Sequence, residues 1–277
     1  MDNEPDYLLV RDMHASIRLN LQHYLWKDGL GYLLHPSISL NGPNTRIADL
    51  GTGTGIWVLD LARQLPETTQ LYGFDISDAQ YPHPKYLPPN VKLEILDNLT
   101  PDPPSDLQGT FDVVYLRLWL GGVPNGDPTA LLTHALKLLR PGGYIQWNEF
   151  DPLRAIAEGP DGEPSPNVRK LCTLTQKIKD HRWIERLPTT FQEFGLENIE
   201  EVFAFEQPWQ SKLASDMACS VVHEMSNNPS PFVQQKLKDF GISIPSAFAE
   251  ISKGARFVQP FCVALGRKPV VDGSSAK

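Results

Sequence analysis

The sequence is poor in cysteine, with only Cys172, Cys219 and Cys262 among its 277 residues. They are about 45 residues apart and odd in number, so their spacing matches neither a zinc knuckle nor a disulfide framework. We interpret them as reduced thiols in the core of a cytosolic protein.

Long hydrophobic runs are also absent. No stretch of about 18 apolar residues occurs, so the sequence predicts no membrane span. The first residues, MDNEPDYLLVRD, are acidic and have no apolar segment of the kind that signal peptides carry. Because there is no basic leader either, the expected location is the cytoplasm, with nuclear entry left open.

Basic residues are in the minority. Lysine and arginine total 25 against 33 aspartates and glutamates, which gives a formal charge of −8. Without a dense basic block the chain is a poor candidate for binding phosphate backbones or anionic lipid, so we expect neither nucleic acid nor membrane as a partner. A content of 41% hydrophobic and 21% charged residues is typical of a globular chain, here one elaborated α/β domain.

Strand and helix patterns alternate in the first half of the chain, which predicts a parallel sheet with helices on both faces. Strands are predicted within 45–55, 70–77, 91–98, 111–118 and 143–150, with helices over 11–26, 56–66 and 128–143. Later, a helix is predicted over 168–187, strands over 197–206 and 256–268, and at least one helix within 208–250. Residues 1–10 and 270–277 are predicted to be loose.

The first helix carries an apolar stripe at helical spacing, which predicts that this face is buried. The stripe consists of Met13, Ile17, Leu21 and Tyr24.

A glycine-rich turn follows the first strand, with the sequence Asp49-Leu50-Gly51-Thr52-Gly53-Thr54-Gly55. It is not a P-loop, because Ile56 and Trp57 stand where lysine and serine or threonine are needed. A dinucleotide-binding turn would have glycine at the position of Ile56. Asp49 would repel a diphosphate and attract an ammonium or sulfonium group, so the turn indicates a partly cationic ligand.

Two more acids end the next strands, Asp75 after the second and Asp97 after the third. In a doubly wound sheet these strand ends lie along one edge with Asp49. Asp75 is placed for a ribose diol, and Asp97 with Asn98 for an adenine amino group. Ammonium, diol and adenine amine in a row describe S-adenosylmethionine, whereas the alternative is that these acids only cap turns or helices.

These segments resemble the class I, Rossmann-like S-adenosylmethionine-dependent methyltransferases. The resemblance is carried by IADLGTGTGIW, GFDIS, FDVVYLRLW and LRPGGYIQWNEF. A closer resemblance, to fungal secondary-metabolism methyltransferases, rests on RLNLQHYLW, HPSI, LPPNVKLEILDN and NEFDP. It implies a doubly wound, mostly parallel sheet of seven strands with a helical N-terminal lid and helical cap insertions.

The resemblance also divides the single domain expected over 1–277. Residues 1–44 would form the lid, 45–150 the cofactor-binding core, and 151–277 the cap helices and late strands. The expected cofactor is S-adenosylmethionine, and the residues expected to bind it are Asp49, Gly51, Thr52, Gly53, Gly55, Asp75, Ile76, Asp97, Asn98 and Arg117.

Candidates for a catalytic base are fewer. His14 and His23 lie on the first helix, nine residues apart, so they point in opposite directions and at most one faces the cofactor. We favour His23 because it belongs to the family-like Gln-His pair, with a purely structural histidine as the alternative. Glu149, at the end of the fifth strand, is a third candidate, for orienting substrate or for a structural contact. Arg117 is expected to hold either the methionine carboxylate or the substrate.

Two missing features narrow the reaction. There is no Asn/Asp-Pro-Pro-Tyr/Phe segment after the fourth strand, which disfavours methylation of a nucleobase amine, and too few clustered acids to predict a magnesium site. The hypothesis is methyl transfer to an O, N or S atom of a small, largely apolar secondary metabolite. A cyclase or rearrangement enzyme on the same fold, or a non-catalytic regulator of a metabolite pathway, are the alternatives, and the oligomeric state is left open.

Overall fold

A computed structural model of the chain describes residues 9–40, 42, 44–162 and 165–270. The helices in this part are α1 (Met13–Leu30), α2 (Ile56–Ala62), α3 (Thr129–Leu138), α4 (Pro166–Lys177), α5 (Arg182–Glu185), α6 (Leu187–Glu193), α7 (Ser211–Ser226), α8 (Pro231–Phe240) and α9 (Ile244–Ile251). The strands are β1 (Arg46–Leu50), β2 (Gln70–Asp75), β3 (Val91–Ile95), β4 (Phe111–Arg117), β5 (Leu139–Phe150), β6 (Ile156–Glu158), β7 (Glu197–Ala204), β8 (Arg256–Val258) and β9 (Phe261–Arg267). Residues 1–8 and 271–277, predicted to be loose, lie outside the described residues.

The central sheet has seven strands in the order β3-β2-β1-β4-β5-β9-β7 within the described residues. Strands β1 to β5 run parallel, and β9 is antiparallel both to β5 and to β7. The predicted α/β fold with a mostly parallel sheet of seven strands is confirmed. Because the strand order reverses between β1 and β4, a crevice opens at their carboxyl ends, where ligands bind in such sheets.

Alternating residues of the central strands face opposite sides of the sheet, and both sides are covered. Ile47 and Tyr115 belong to the core cluster that includes the buried side chains of α2. Ala48 and Leu116 belong to the cluster on the other face, built with α3. Burial on both faces explains why these strands read as nearly continuous apolar runs.

Helix α1 begins after Asp12, which accepts a hydrogen bond from the Ala15 N–H at 2.8 Å, and it ends four residues later than predicted. Its predicted buried stripe is wrong at three of its four positions, and the fourth, Leu21, is partly buried against a core cluster. Met13, Ile17 and Tyr24 are 67%, 59% and 47% exposed. The buried face instead carries Ala15, Arg18, Gln22, His23, Leu25 and Trp26. Polar side chains can be buried here because each finds a partner on another element.

Three later elements are shorter than predicted. The helix expected over 128–143 ends at Leu138, where the backbone becomes extended and enters β5 directly. The helix expected over 168–187 is interrupted after Lys177 and continues as α5 and α6. The strand expected over 256–268 splits at Pro260, which has no N–H to donate, into β8 paired with β6 and β9 in the main sheet.

Helices α4, α7, α8 and α9 enclose a second apolar core with β8, separate from the cores on the main sheet. All three cysteines are buried and free of disulfide bonds. Burial raises the pKa of Cys172 to about 12 and that of Cys219 to about 11. None of the described helices combines the length and the apolar character that a membrane crossing needs. The division into lid, core and cap stays a prediction.

A buried ion pair joins α1 to α7. Arg18 Nε donates to Glu224 Oε2 at 2.5 Å, and Arg18 Nη2 donates to Glu224 Oε1 at 3.2 Å. Both side chains are 4% exposed. The Val10 N–H donates to the same carboxylate, and Arg18 Nη1 donates to Gln22 Oε1, so the pair also fixes Gln22.

Because both charges are out of water, removing one leaves the other uncompensated. We predict that Arg18→Leu lowers the free energy of unfolding by about 3–5 kcal/mol, and that Arg18→Leu/Glu224→Leu loses distinctly less. Urea unfolding followed by tryptophan fluorescence measures both. Equal losses in the single and double variants would contradict this account of the pair.

Candidate active site

A cavity opens where the carboxyl ends of β1, β2, β3 and β4 meet the inner face of α1. The cavity has a volume of about 210 Å³. The cavity is lined by Arg11, Leu19, Gln22, Asp49, Gly51, Thr52, Gly53, Thr54, Ile56, Asp75, Ile76, Gln80, Asp97, Asn98, Leu99, Arg117, Leu118, Trp119 and Gly122. Nine of the ten residues predicted to bind the cofactor therefore line the cavity, and Gly55, the tenth, stands in the sequence between two lining residues, Thr54 and Ile56.

The glycine turn requires its glycines. Gly51, Gly53 and Gly55 have φ angles of 71°, 58° and 74°, in the left-handed region. A Cβ on Gly51 would lie 2.9 Å from the Trp119 indole, and one on Gly53 would lie 3.2 Å from Leu19 Cδ1. The turn thus passes tightly under α1 and beside the segment after β4, and its backbone faces the cavity.

Asp49 is a nearly buried carboxyl group, 3% exposed, at the end of β1. It accepts a hydrogen bond from Thr52 Oγ1 at 2.7 Å. Burial raises its pKa to about 7; the nearby Asp75 adds to this, while Thr52 and Arg117 oppose it. A buried carboxylate in such a position favours a cationic ligand, because the cation returns the stabilisation that water no longer supplies.

Asp75 is fixed at the end of β2 by two backbone donors. The Gly53 N–H donates to Oδ2 at 2.9 Å, and the Ser77 N–H donates to Oδ1 at 3.3 Å. Each carboxylate oxygen can accept a further bond. Its carboxylate therefore links the glycine turn to β2 and remains able to accept from a diol in the cavity.

Asn98 and Asp97 form the far end of the row. Asn98 is 3% exposed, and its Nδ2 donates to the Phe74 carbonyl at 3.4 Å. Its Oδ1 is buried and has no hydrogen-bond partner in the described structure. A buried acceptor on a cavity wall is costly unless a ligand satisfies it, so this atom indicates a donor in the ligand. Asp97 is exposed and accepts from the Leu99 N–H at 2.9 Å.

Arg117, at the end of β4, is a cation on the same wall. Its Nη1 and Nη2 lie 3.3 and 3.4 Å from His23 Nδ1. The charge of Arg117 lowers the pKa of Asp49, so the two groups are close enough to interact electrostatically. The cavity lining thus includes both a carboxyl group and a guanidinium, which suits a ligand that carries both an ammonium and a carboxylate.

The three predicted catalytic residues do not line the cavity. His14 lies on the exposed side of α1. His23 is fully buried behind Arg117. Glu149 is fully buried as well, because it accepts from the N–H groups of Trp119 and Leu120 and from Trp147 Nε1. Burial raises the pKa of Glu149 to about 8, although the three hydrogen bonds act to lower it. The position of Glu149 indicates that it anchors the segment after β4. Their catalytic roles stay predictions.

Several wall residues were not predicted. Leu19 and Gln22 come from α1, where the helical stripe was assigned to the wrong face. Trp119 donates from Nε1 to the Leu50 carbonyl at 3.0 Å, which places its ring against the glycine turn. Gln22 belongs to the Gln-His pair of the segment that resembles the fungal methyltransferases. That motif is the signal in the sequence that could have indicated Gln22 as a lining residue. No group of three or more potential metal ligands occurs among the residues the structure describes, and the expectation of no magnesium requirement stays a prediction.

Comparison with known families decides what kind of protein this is. A family model described as a methyltransferase domain matches residues 18–201. The chain belongs to this methyltransferase family. The class I S-adenosylmethionine-dependent methyltransferases expected from the sequence, and the cofactor expected with them, are thereby confirmed.

Three fungal proteins are similar to this methyltransferase in sequence. Methyltransferase grgD of a Penicillium species is 34% identical over 215 residues, which are 72% of each chain. N-methyltransferase tcpN of Claviceps purpurea is 40% identical over 151 residues, 54% of this chain and 53% of tcpN. N-methyltransferase gliN of Aspergillus fumigatus is 28% identical over 206 residues, 72% of this chain and 71% of gliN.

Similar solved structures are more distant. Phosphoethanolamine N-methyltransferase 2 of Haemonchus contortus, in complex with S-adenosyl-L-methionine, has a TM-score of 0.45 and 13% identity. That alignment covers 91% of this chain and about half, 52%, of the Haemonchus chain. Geranyl diphosphate C-methyltransferase of Streptomyces coelicolor has a TM-score of 0.43 and 13% identity, with 89% and 77% of the chains covered.

The pKa of Asp49 predicts a pH-dependent stability. Its folded-state value of about 7 lies above the ordinary 3.8, so the folded state holds a proton that the unfolded state releases. The contribution of Asp49 to the free energy of unfolding therefore falls as the pH rises from about 4 to about 7. Asp49→Asn removes this effect. Its free energy of unfolding, relative to that of the wild type, should therefore rise by up to about 1.4 kcal/mol per pH unit in that window.

Urea unfolding at several pH values in that window measures the difference. Asp78→Asn, an exposed residue on the loop after β2, is the matched control and should follow the wild type. A constant difference between Asp49→Asn and the wild type across the window would contradict the assigned pKa.

Proposed function

We propose that this methyltransferase acts on a small, largely apolar secondary metabolite and transfers the methyl group to a nitrogen, oxygen or sulfur atom. Nitrogen is placed first, because tcpN and gliN are named N-methyltransferases. The single observation that carries the proposal is the row of Asp49, Asp75 and the unsatisfied Asn98 along one cavity wall, in a chain of this family.

The described residues fit S-adenosylmethionine. Asp49 and the glycine turn would face its ammonium and sulfonium groups, and Asp75 would accept from the ribose hydroxyls. The unpaired Oδ1 of Asn98 matches the adenine amine, a donor at the right end of the row. Ile76 and Leu99 line the same end and offer apolar surface for the adenine ring. Arg117 would bind the carboxylate of the methionyl group.

When bound, S-adenosylmethionine supplies an electrophilic methyl group on a sulfonium sulfur. The chain's own part is to position the reactants and to exclude water from their meeting point, which can lower the barrier by several kcal/mol. Leu19, Leu118 and Trp119 also line the cavity and give it apolar surface near the glycine turn. This surface suits an apolar acceptor whose neutral amine attacks with its own lone pair. The cytoplasmic location and the lack of nucleic-acid or membrane partners stay predictions.

Loss of the Asp75 carboxylate should weaken cofactor binding. We predict that Asp75→Ala raises the dissociation constant for S-adenosylhomocysteine by about 5- to 150-fold, since hydrogen bonds to a charged group contribute about 1–3 kcal/mol. Isothermal titration calorimetry measures it. Asp78→Ala, exposed on the same loop, should bind like the wild type. Unchanged affinity in Asp75→Ala would remove the ribose assignment.

Methyl transfer itself is tested by product mass. The protein is incubated with methyl-deuterated S-adenosylmethionine and a set of small apolar amines, amides, phenols and thiols. We expect an amine product that carries one labelled methyl group in place of one hydrogen. An isomer of unchanged mass would indicate rearrangement, and tight cofactor binding without any product would indicate a regulator; either result contradicts the proposal.

A further inference from the structure

Behind Arg117, on the side away from the cavity, a chain of hydrogen-bonded side chains runs through the interior. Arg117 Nη1 and Nη2 lie 3.3 and 3.4 Å from His23 Nδ1. His23 Nε2 lies 3.0 Å from Asp60 Oδ2, and Lys27 Nζ donates to the same oxygen at 2.7 Å. The chain joins β4 to α1 and α2, and it was not expected from the sequence.

The contacts of His23 fix its protonation. A guanidinium only donates, so Nδ1 must present its lone pair to Arg117. The single ring proton is therefore on Nε2 and is donated to Asp60. A second proton on Nδ1 would oppose the arginine N–H groups. Burial and the charge of Arg117 lower the pKa of His23 to about 4, so the ring is neutral near neutral pH.

The charges along this chain matter for the cavity. Burial alone would raise the pKa of Asp60, but hydrogen bonds from Lys27 and His23 outweigh it and leave the pKa below its ordinary value. The negative charge of Asp60 is thus balanced by Lys27, and a neutral imidazole separates it from Arg117. A carboxylate bonded directly to Arg117 would have offset the positive charge of the guanidinium. A neutral imidazole orients the guanidinium and leaves that charge available to a ligand.

Arg117 retains donors for a ligand. A guanidinium has five N–H groups: His23 engages one on each of the two Nη atoms, and Arg117 also hydrogen-bonds the Tyr115 side chain. The remaining groups can bind a carboxylate, and a side chain that is already fixed loses less conformational entropy when it does so.

We infer that His23 and Asp60 are positioning residues, which hold Arg117 in the cavity as an intact positive charge for the carboxylate of the bound cofactor. This inference rests on the proposed function. It also gives His23 a role other than the base predicted from the sequence: its Nδ1 lone pair is engaged by Arg117, and the ring does not reach the cavity wall.

A pair of variants separates positioning from packing. His23→Leu keeps much of the volume but offers no acceptor to Arg117. His23→Asn places a carbonyl oxygen near the position of Nδ1 and can still accept from the guanidinium. Ile17→Ala, exposed on the same helix, is the control. Each protein is titrated calorimetrically with S-adenosylhomocysteine and with 5′-methylthioadenosine, which has the same nucleoside but no carboxylate.

We expect His23→Leu to bind S-adenosylhomocysteine about tenfold more weakly and to bind 5′-methylthioadenosine within about twofold of the wild type. His23→Asn should recover most of the loss, and Ile17→Ala should show none. Equal weakening of both ligands in His23→Leu would indicate general damage and overturn the inference. Unchanged binding with a large fall in kcat would overturn it in favour of a catalytic base.

The proposed function fails separately. If the wild type binds neither ligand, the cofactor assignment is lost. If the wild type binds S-adenosylhomocysteine and His23→Leu binds it equally well, only the positioning role is lost.

Discussion

A carboxyl group placed where water can hardly reach it is the constraint on which the site depends. Asp49 ends β1 at the point where the strand order reverses, so the sheet itself brings the carboxyl group to the crevice. One hydroxyl and a nearby arginine offset only part of the cost of its burial. A cationic ligand would offset the rest of this cost, whereas a diphosphate would add to it by repulsion. This is the physical reason why a glycine-rich turn of the Rossmann type here favours a sulfonium nucleoside.

The buried face of helix α1, next to this site, is rich in polar side chains. It carries Arg18, Gln22 and His23, whereas Met13 and Ile17 face the solvent. This inverts ordinary amphipathicity, and local rules of this kind are most often broken at functional sites. The polar face is tolerated because each side chain bonds to a partner on α7, α2 or β4. The helix is thereby oriented by specific polar contacts, and two of its residues reach the cavity wall.

Structural features that depend on residues close together along the chain could be predicted from the sequence. Glycine spacing, strand ends and apolar runs predicted the core of the sheet and the row of Asp49, Asp75 and Asp97, with Asn98 beside it. What depends on distant partners was missed. The buried face of α1 includes Arg18, which pairs with Glu224, some 200 residues away along the chain. It also includes His23, which is hydrogen-bonded to Asp60 and Arg117. The split at Pro260, by contrast, has a local cause, because proline has no N–H to donate, and this signal was present in the sequence.

A buried and largely protonated Asp49 must release a proton when the cationic cofactor binds and the group becomes a carboxylate. Titration calorimetry with S-adenosylmethionine at about half a pH unit below the pKa, in two buffers of different ionisation enthalpy, counts that proton. With a pKa of about 7, the account predicts release of more than half a proton per cofactor, and none from Asp49→Asn. Binding of the cofactor to the wild type with no proton released would contradict it.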